Sequence, residues 1–193
     1  MNGYQQRTEK KKAQIMKVTF ELLCKYGIDK ISIAEISKLA NVSPVTIYNY
    51  FGSKDELVRQ TFADFMDKTL DKYEQLLEQP IPFQTKMEQI LRDHDDIVDH
   101  MNVSSMVQAN INDPVIREYM EDFYTTRTLP FFEKLIDLGK REGCIELSLS
   151  MEAILFYIQM YKEALARPAF LAQASPSMLK DLDRLMYYGL MGK

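Results

Sequence analysis

The chain has 193 residues, of which 46% are hydrophobic and 27% charged, a balance that supports a packed core and argues against disorder. Its apolar stretches are too short to span a membrane, its N-terminus lacks the apolar segment of a signal peptide, and its two distant cysteines give no disulfide framework. These features predict a cytoplasmic protein without a membrane partner.

The net charge of −4 is unevenly distributed. Residues 1–54 hold nine Lys/Arg and four Asp/Glu, a balance of +5, whereas residues 55–193 hold fifteen and twenty-four, a balance of −9. A basic head on an acidic body is typical of a small module that approaches phosphates, joined to a larger part that does not. Chance asymmetry on solvated faces is an equally good interpretation of the charges taken alone.

In chain order, the first predicted element is a helix from near Thr8 to Tyr26. An apolar stripe at helical spacing supports it, formed by Ile15, Val18, Leu22 and Tyr26. Gly27 follows as a C-terminal stop, because glycine accepts the left-handed backbone that often ends a helix.

The second helix has a clear N-terminal signal. Ser32 followed three residues later by Glu35 is a capping box, in which the serine oxygen accepts a hydrogen bond from a free backbone N–H. The helix is predicted to end near Ala40. Asn41 comes next and tolerates the left-handed conformation that a tight turn needs.

The third helix is short. Ser43 is a predicted N-cap with Pro44 at the first helical position, where the missing N–H has no cost. Gly52 breaks the helix after about eight residues, and Ser53 with Glu56 forms a further capping box that opens the fourth helix. Two short capped helices joined by a tight turn indicate a helix-turn-helix.

The rest of the chain is also predicted to be helical. The further helices cover residues 54–77, 83–101, a short stretch to 111, 114–142 with a kink at Pro130, 150–166 and 176–191. The predicted fold is therefore all-α with about nine helices. A three-helix helix-turn-helix domain occupies residues 1–53, and a larger helical domain occupies residues 54–193.

The third helix has two faces when its residues are placed at roughly 100° intervals. Ile47 and Phe51 point towards the first two helices, whereas Val45, Thr46 and Asn49 point the opposite way. Threonine and asparagine offer hydrogen-bonding groups to base edges, and valine offers an apolar contact to a thymine methyl group. We therefore predict Val45, Thr46 and Asn49 as base-reading residues.

Phosphate contacts are predicted around this face. Tyr48 and Tyr50 flank the apolar side on opposite edges, and Lys54 lies in the first turn of the next helix, where free N–H groups favour an anion. Ser32 and Ser43 are helix caps that can share their anion sites with a phosphate. For Tyr48 taken alone, a core position is an equally good interpretation.

These residues carry a family resemblance. The stretch from Ile15 to Leu57, which includes YGIDKISIAEISKLANVSPVTIYNYFGSKDEL, resembles the DNA-binding domain of the Tet repressor family. The matching positions are Gly27, Ser32, Ile36, Ala40, Val42, Ser43, Thr46, Tyr48, Phe51, Lys54 and Leu57. Two positions depart from the family pattern: Asn41 replaces the usual glycine, and Tyr50 stands where histidine is common.

The resemblance implies a homodimeric, all-helical repressor that binds a double-stranded DNA operator and a small-molecule effector. In that family the last two helices form a four-helix bundle across the dimer, and the central helices enclose the effector pocket. The resemblance implies neither a cofactor nor a metal ion. It stops at residue 57, so the larger domain is interpreted from its own residues.

Apolar stripes on the last two helices predict a dimer interface, with an ordinary monomeric core as the alternative. The predicted interface residues are Met151, Ile154, Ile158, Leu165, Met178, Leu182, Leu185, Met186 and Leu190. Twelve methionines and twenty-one Phe/Tyr suit an adaptable pocket for an apolar or aromatic effector. Its candidate residues, each individually better explained as core, are Phe65, Met66, Tyr73, Met87, Met101, Met106, Phe123, Tyr124, Phe131, Tyr157 and Met160.

Competing functions have weaker support. The segment DHDDIVDH, residues 93–100, contains Asp96 and His100 four residues apart, but a solvated acidic helix face explains it better than a metal site does. The motifs GxSxG, HExxH, GxxxxGK[ST] and CxxC are absent, so we do not expect an enzyme. An architectural DNA-binding protein without an effector, or an activator, stays as the alternative to an effector-released repressor.

Overall fold

A computed structural model describes residues 3–100, 114–165, 167–171 and 173–191. Within these ranges the regular elements are helices, and no strand occurs among them. The α-helices are α1 (Gly3–Tyr26), α2 (Ile33–Ala40), α3 (Pro44–Phe51), α4 (Lys54–Glu78), α5 (Phe83–His100), α6 (Pro114–Phe123), α7 (Leu129–Arg141), α8 (Met151–Leu165), α9 (Pro168–Leu171) and α10 (Pro176–Met191). The predicted short helix ending at residue 111 lies outside the described residues.

The all-α prediction is confirmed. If residues 114–141 are taken as one interrupted helix and the four-residue α9 is set aside, the described part of the chain holds eight helices, close to the predicted nine. The main difference at a boundary is in α1, which begins at Gly3 rather than near Thr8. The residues before Thr8 lie beyond the apolar stripe, so periodicity could not include them.

The helix ends follow the residues predicted to set them. Gly27, Gly52 and Gly143 have φ values of 77°, 77° and 68°, and each follows or closes a helix. Asn41 has a φ of 54° and is the only non-glycine residue with positive φ in the described chain. Its amide side chain makes that conformation less costly than it would be for most residues.

The predicted kink at Pro130 takes the form of a π-helical turn. Residues Tyr124–Thr128 form this turn between α6 and α7, and Pro130 lies two residues after it. Proline has no N–H, and in an α-helix its ring crowds the carbonyl four residues earlier, which here belongs to Thr126. A wider turn just before the proline relieves this crowding.

The chain divides into two compact units. Residues up to Thr69 belong to the first unit, and Leu70–His100 and the described residues from Pro114 onward belong to the second, so that α4 contributes to both. The first turns of α4 belong with the N-terminal helices because Leu57 and Val58 are buried in their core. The predicted division into residues 1–53 and 54–193 stays a prediction.

The core of the first unit joins α1, α2, α3 and the start of α4. Its best-buried members are Ile15, Ile36, Ile47 and Leu57, each with no exposed surface. Tyr26 was placed on the apolar stripe of α1, but 40% of it is exposed and the Lys25 ammonium lies 5.0 Å from its ring centroid. It lies at the last position of the helix, where the core no longer covers it.

In the second unit the end of α4 is capped by a buried lysine. Lys86, only 2% exposed, donates from Nζ to the carbonyls of Leu77 and Gln79 at 2.5 Å each. These carbonyls belong to the last turn of α4 and the residue after it, where intrahelical donors run out. The ammonium therefore supplies the missing donors and ties α5 to α4.

The acidic segment of α5 pairs with α10. The ion pairs are His94 Nδ1 with Asp183 Oδ2 at 2.6 Å, Asp95 with Arg184 at 3.0 Å and Asp99 with Lys180 at 2.6 Å. Part of the face predicted to be solvated is thus an inter-helix contact. Among the described residues, no group of three or more His, Cys, Asp or Glu side chains is arranged to hold a metal ion.

Two smaller findings concern the membrane and the thiols. No helix in the described ranges has the length and hydropathy needed to cross a bilayer. Burial raises the pKa of the Cys24 thiol to about 11, so this thiol stays protonated at neutral pH. A protonated thiol is a poor nucleophile, which agrees with a packing role for Cys24.

Candidate nucleic-acid interface

Helices α2 and α3 are set by their caps and by the turn between them. Ser32 Oγ accepts from the Glu35 backbone N–H at 3.2 Å, and Ser43 Oγ accepts from the Thr46 backbone N–H at 3.1 Å. The turn itself is Asn41 in the left-handed region. These local interactions fix where α3 begins, as the sequence predicted.

One side of α3 is buried and holds the helix in place. Ile47 has no exposed surface and Phe51 is 3% exposed, and both belong to the core cluster of the first unit. Because the two residues are four apart, they form a single stripe along the inner face. The eight-residue helix is therefore anchored by two large side chains and capped at both ends.

The opposite side of α3 faces solvent. Val45 is 65% exposed, Asn49 is exposed, and Thr46 is half-buried. The Thr46 hydroxyl lies 2.9 Å from Ser43 Oγ, so the cap holds one of the three predicted base-reading groups in a fixed position. An exposed valine between polar groups on a short, anchored helix can contact the major groove of a duplex.

The two tyrosines of α3 differ in their surroundings. Tyr48 is 50% exposed, whereas Tyr50 is half-buried and packs against the core with its ring 6.4 Å from that of Phe51. Both lie at the edges of the buried stripe, but only the Tyr50 edge is covered by the core. Tyr48 is the better placed of the two for a phosphate contact.

Lys54 has a partner that the sequence did not indicate. Its Nζ donates to the Ile28 carbonyl at 3.1 Å and so links the start of α4 to the short 3₁₀ turn Ile28–Lys30. An ammonium has three donors, so this bond is compatible with the predicted phosphate contact. Lys54 therefore positions the first turn of α4 in addition to any role towards DNA.

Leu39 is a candidate interface residue that the sequence analysis missed. It lies near the end of α2 and is 55% exposed, next to the buried Ala40 and one position from the exposed Lys38. Leu39 is, with Val45, a second large apolar side chain left exposed on the helix-turn-helix. The sequence could have indicated this exposure, because Leu39 lies off the buried stripe of α2 that Ile36 and Ala40 define.

The predicted effector residues are divided between the two units. Phe65 lies in the first unit, where its ring stacks on Phe20 at 4.6 Å and lines an open groove of about 420 Å³. In the second unit, Phe123 and Phe131 are buried, and the Tyr73 ring lies 6.3 Å from that of Phe131. Burial raises the pKa of the Tyr73 phenol to about 12.

The other predicted effector residues vary in exposure. Met87 is buried, Met66, Tyr124 and Tyr157 are half-buried, and 47% of Met160 is exposed. Met101 and Met106 lie outside the described residues.

The predicted dimer residues require a correction. Ile154, Ile158 and Leu190 are buried within the chain itself, at 3%, 3% and 9% exposure, so they do not form an exposed face. Met151, Leu165, Leu182 and Met186 are half-buried. Met178 and Leu185 are exposed, and their place in a dimer interface stays a prediction.

An apolar face is nevertheless exposed on the last two long helices. It consists of Phe156 and Met160 on α8 and of Met178, Leu185 and Tyr188 on α10, with exposures between 44% and 66%. Because α8 is apolar nearly all round, periodicity could not tell which of its stripes packs inside the subunit. We call these five residues the exposed apolar face.

The two capped helices α2 and α3, the left-handed turn between them and the exposed outer side of α3 have the geometry of a helix-turn-helix. The model for bacterial regulatory proteins of the tetR family matches residues 15–61, so this part of the chain is similar to that family. The segment contains α2, α3 and the first turns of α4.

Curated relatives match about a third of the chain. It is 30% identical over 69 residues to the HTH-type transcriptional regulator LuxR of Vibrio harveyi, covering 32% of this chain and 34% of that protein. It is 41% identical over 63 residues to an uncharacterised HTH-type transcriptional regulator of Haemophilus influenzae, covering 31% and 33%. The matches thus span about a third of these relatives.

A likeness over nearly the whole length comes from solved structures. The crystal structure of the transcriptional regulator FadR from Bacillus subtilis in complex with stearoyl-CoA aligns with a TM-score of 0.63 at 17% identity. The alignment covers 92% of this chain and 98% of that one. At this identity the likeness establishes the fold, including the helical body that follows the helix-turn-helix.

Proposed function

We propose that the protein is a cytoplasmic, dimeric transcriptional repressor that binds a near-palindromic operator through α3 and is released by a small apolar or aromatic effector. The observation that carries this proposal is the two-sided α3, with Ile47 and Phe51 buried and Val45 and Asn49 exposed. In helix-turn-helix proteins, the helix that lies in the major groove packs against its own domain on one side and is exposed on the other.

Base and phosphate contacts have separate tests. Asn49, Thr46 and Val45 face the bases, whereas Tyr48 and Lys54 face phosphates. Replacing Lys54 by alanine removes one phosphate contact and lowers the salt dependence of binding by about one charge. Tyr48→Phe removes a single hydroxyl and weakens binding equally at all sequences, because the backbone carries no sequence information.

The dimer is supported by the exposed apolar face. The five large apolar side chains exposed on α8 and α10 leave hydrophobic surface that a second copy of the chain would cover. Leu185→Asp places a charge in this surface and should convert the dimer into a monomer. Leu147→Asp is the matched control, since Leu147 is 76% exposed but lies in the loop between α7 and α8.

Sedimentation equilibrium at micromolar concentration measures both variants. A monomeric parent contradicts the proposed dimer. A Leu185→Asp variant that sediments like the parent contradicts the assignment of the exposed apolar face to the dimer interface. A dimer is required because two copies of α3 must reach two successive half-sites of the operator.

The effector is the least specified part of the proposal. Aromatic side chains of the second unit, notably the buried Phe123 and Phe131 and the half-buried Tyr124, are the candidates for an apolar lining. The FadR of Bacillus subtilis was solved with stearoyl-CoA, so long-chain acyl-CoA thioesters are the first compounds to test. Hydrophobic aromatic compounds form the second group.

The decisive experiment is fluorescence anisotropy with a labelled fragment of the promoter upstream of the protein's own gene. Specific binding that resists unlabelled random DNA and decreases on addition of an effector supports the proposal. Binding without any sequence preference favours an architectural protein instead. In vitro transcription from the same fragment separates repression from activation, because repression lowers the amount of transcript.

A further inference from the structure

An open groove runs along the first compact unit between α1 and α4. Its volume is about 420 Å³, which is the size of a small-molecule site. The residues that line it lie on these two helices between Lys10 and Lys68, so the groove belongs to this unit alone. It is distinct from the aromatic residues of the second unit, which are the candidates for the effector pocket.

The two helices are antiparallel along the groove. Lys54, at the start of α4, donates to the carbonyl of Ile28, which follows α1. About three turns further along α4, the ring of Phe65 stacks on that of Phe20. Each helix presents one face to the groove, because the lining positions 10, 13, 14 and 17 of α1 and 61, 64, 65 and 68 of α4 recur at helical spacing.

The floor of the groove is apolar. The rings of Phe20 and Phe65 are stacked with their centroids 4.6 Å apart and an interplanar angle of 24°. Met16 lies beside them and packs against the buried core of the unit. All three side chains are half-buried, so each keeps apolar surface in contact with water. Covering this surface with an apolar ligand is favourable.

Cations surround this floor. Three lysines line the groove, Lys10 and Lys17 on α1 and Lys68 on α4. Asp64 is the one carboxylate among the described lining residues, which leaves them a balance of +2. Lys68 pairs with Asp64 at 2.6 Å, whereas Lys17 Nζ lies 4.0 Å from Glu21, the outer limit of an ion pair. A positive rim around an apolar floor complements an apolar ligand that carries a negative charge.

The other polar groups at the groove do not select a charge. Thr61 is 2% exposed, and its hydroxyl already donates to the Leu57 carbonyl at 2.7 Å. Gln14 is exposed on α1, and its amide serves an anion and a cation equally well. The ammonium groups therefore decide the charge of the ligand.

We propose that this groove is a binding site for an aliphatic carboxylate, whose charged group lies at the lysines and whose alkyl chain lies on Phe20, Phe65 and Met16. The lining residues extend over ten positions of α1, about 15 Å, a length that an extended alkyl chain spans. The proposal concerns the first unit alone and depends neither on operator binding nor on the effector pocket of the proposed function.

Dodecanoate is the probe, added to the full chain below the concentration at which it forms micelles. The protein is isotope-labelled at its methionine methyl groups, and nuclear magnetic resonance follows each methyl signal. Met16 reports on the groove, and Met87, buried in the second unit, is the internal reference. The variants Met16→Leu and Met87→Leu assign the two signals.

We expect the Met16 signal to shift and to saturate as dodecanoate is added. Dodecylammonium has the same alkyl chain and the opposite charge, and it should bind about 10-fold more weakly because the lysines repel it. A Met16 signal that dodecanoate does not move overturns the site. Equal affinity for the two probes overturns the assignment of a carboxylate ligand.

A variant that fills the groove tests its location. Ala13 is exposed on α1 and lines the groove, so Ala13→Phe places a ring in the groove without altering the core. Ala34→Phe is the matched control, since Ala34 is exposed on α2 of the same unit and does not line the groove. Ala13→Phe should abolish the saturable Met16 shift, and Ala34→Phe should bind like the parent. Circular dichroism shows that both variants are folded. An Ala13→Phe variant that binds dodecanoate like the parent shows that the ligand lies elsewhere.

Removing the charges tests the rim. The double variant Lys10→Gln/Lys17→Gln should raise the Kd for dodecanoate about 3-fold or more, because two exposed ammonium groups are lost. Lys30→Gln/Lys38→Gln removes the same charge from exposed positions of the unit that do not line the groove, and it should bind like the parent. Added salt should weaken binding to the parent more than to the Lys10/Lys17 variant. An unchanged Kd in the Lys10/Lys17 variant contradicts the contact with the carboxylate.

A second copy of the chain is the other occupant that an apolar groove can hold. In that case the Met16 signal changes when the protein is diluted without any probe, and the proposed ligand site is wrong. We expect the Met16 signal to be independent of protein concentration and to respond to dodecanoate alone.

Discussion

Replacing Asp183 by alanine removes a carboxylate that serves two other helices. Asp183 lies on α10, is 7% exposed, and accepts hydrogen bonds from Tyr161 Oη of α8 at 2.5 Å and from His94 Nδ1 of α5 at 2.6 Å. A net contribution of about 1.5–3 kcal/mol is usual for a hydrogen bond to a charged group. His94 is partly exposed, so water replaces part of its bond, and we expect a total loss of about 2–3 kcal/mol.

Urea unfolding followed by circular dichroism measures this loss, at one protein concentration because assembly would also affect stability. Asp181→Ala is the matched control: Asp181 is on the same helix, its side chain is 70% exposed, and it lies 3.6 Å from Arg184. The control should change the unfolding free energy by less than about 0.5 kcal/mol. An Asp183→Ala variant as stable as this control would refute the view that the carboxylate joins the three helices.

Three further predictions concern named side chains. The hydrogen bond to Asp183 raises the pKa of His94 above 6.5, so its stabilisation is complete below that pH and declines as the pH rises through the raised pKa. His94→Gln should remove this pH dependence from urea unfolding. Lys86→Met leaves two carbonyls at the end of α4 without their donor and should cost about 1–3 kcal/mol. Ser43→Asp should keep the N-cap of α3 and leave the free energy of unfolding unchanged. It should weaken operator binding, because the new carboxylate repels the DNA phosphates.

The sequence was most informative where interactions are local. The caps at Ser32 and Ser43 and the left-handed Asn41 depend on residues within four positions of one another, so their spacing was enough to predict α2 and α3. The outward position of Asn49 followed from the helical period alone.

Contacts between distant residues could not be predicted in this way. The bond from Lys54 to the Ile28 carbonyl joins residues 26 apart, and the pairing of His94 with Asp183 joins residues 89 apart. Pro130 predicted a kink but not its π-helical form, in which Thr126 Oγ1 donates to the Asp122 carbonyl at 2.7 Å. The stripe of α8 that contains Ile154 was predicted to lie in the dimer interface, but it packs inside the chain. Because α8 is apolar on several sides, its sequence did not indicate which side faces the core of its own subunit.

The most direct measurement of whether α3 reads DNA is selection of binding sites from a random duplex pool by the parent and by Asn49→Ala. We expect the variant to fold with the stability of the parent, within about 0.5 kcal/mol, because Asn49 is exposed. We also expect it to lose discrimination at one base pair in each half-site, a cost of about 1–3 kcal/mol. Identical base preferences and affinities for the two proteins would contradict the assignment of this helix.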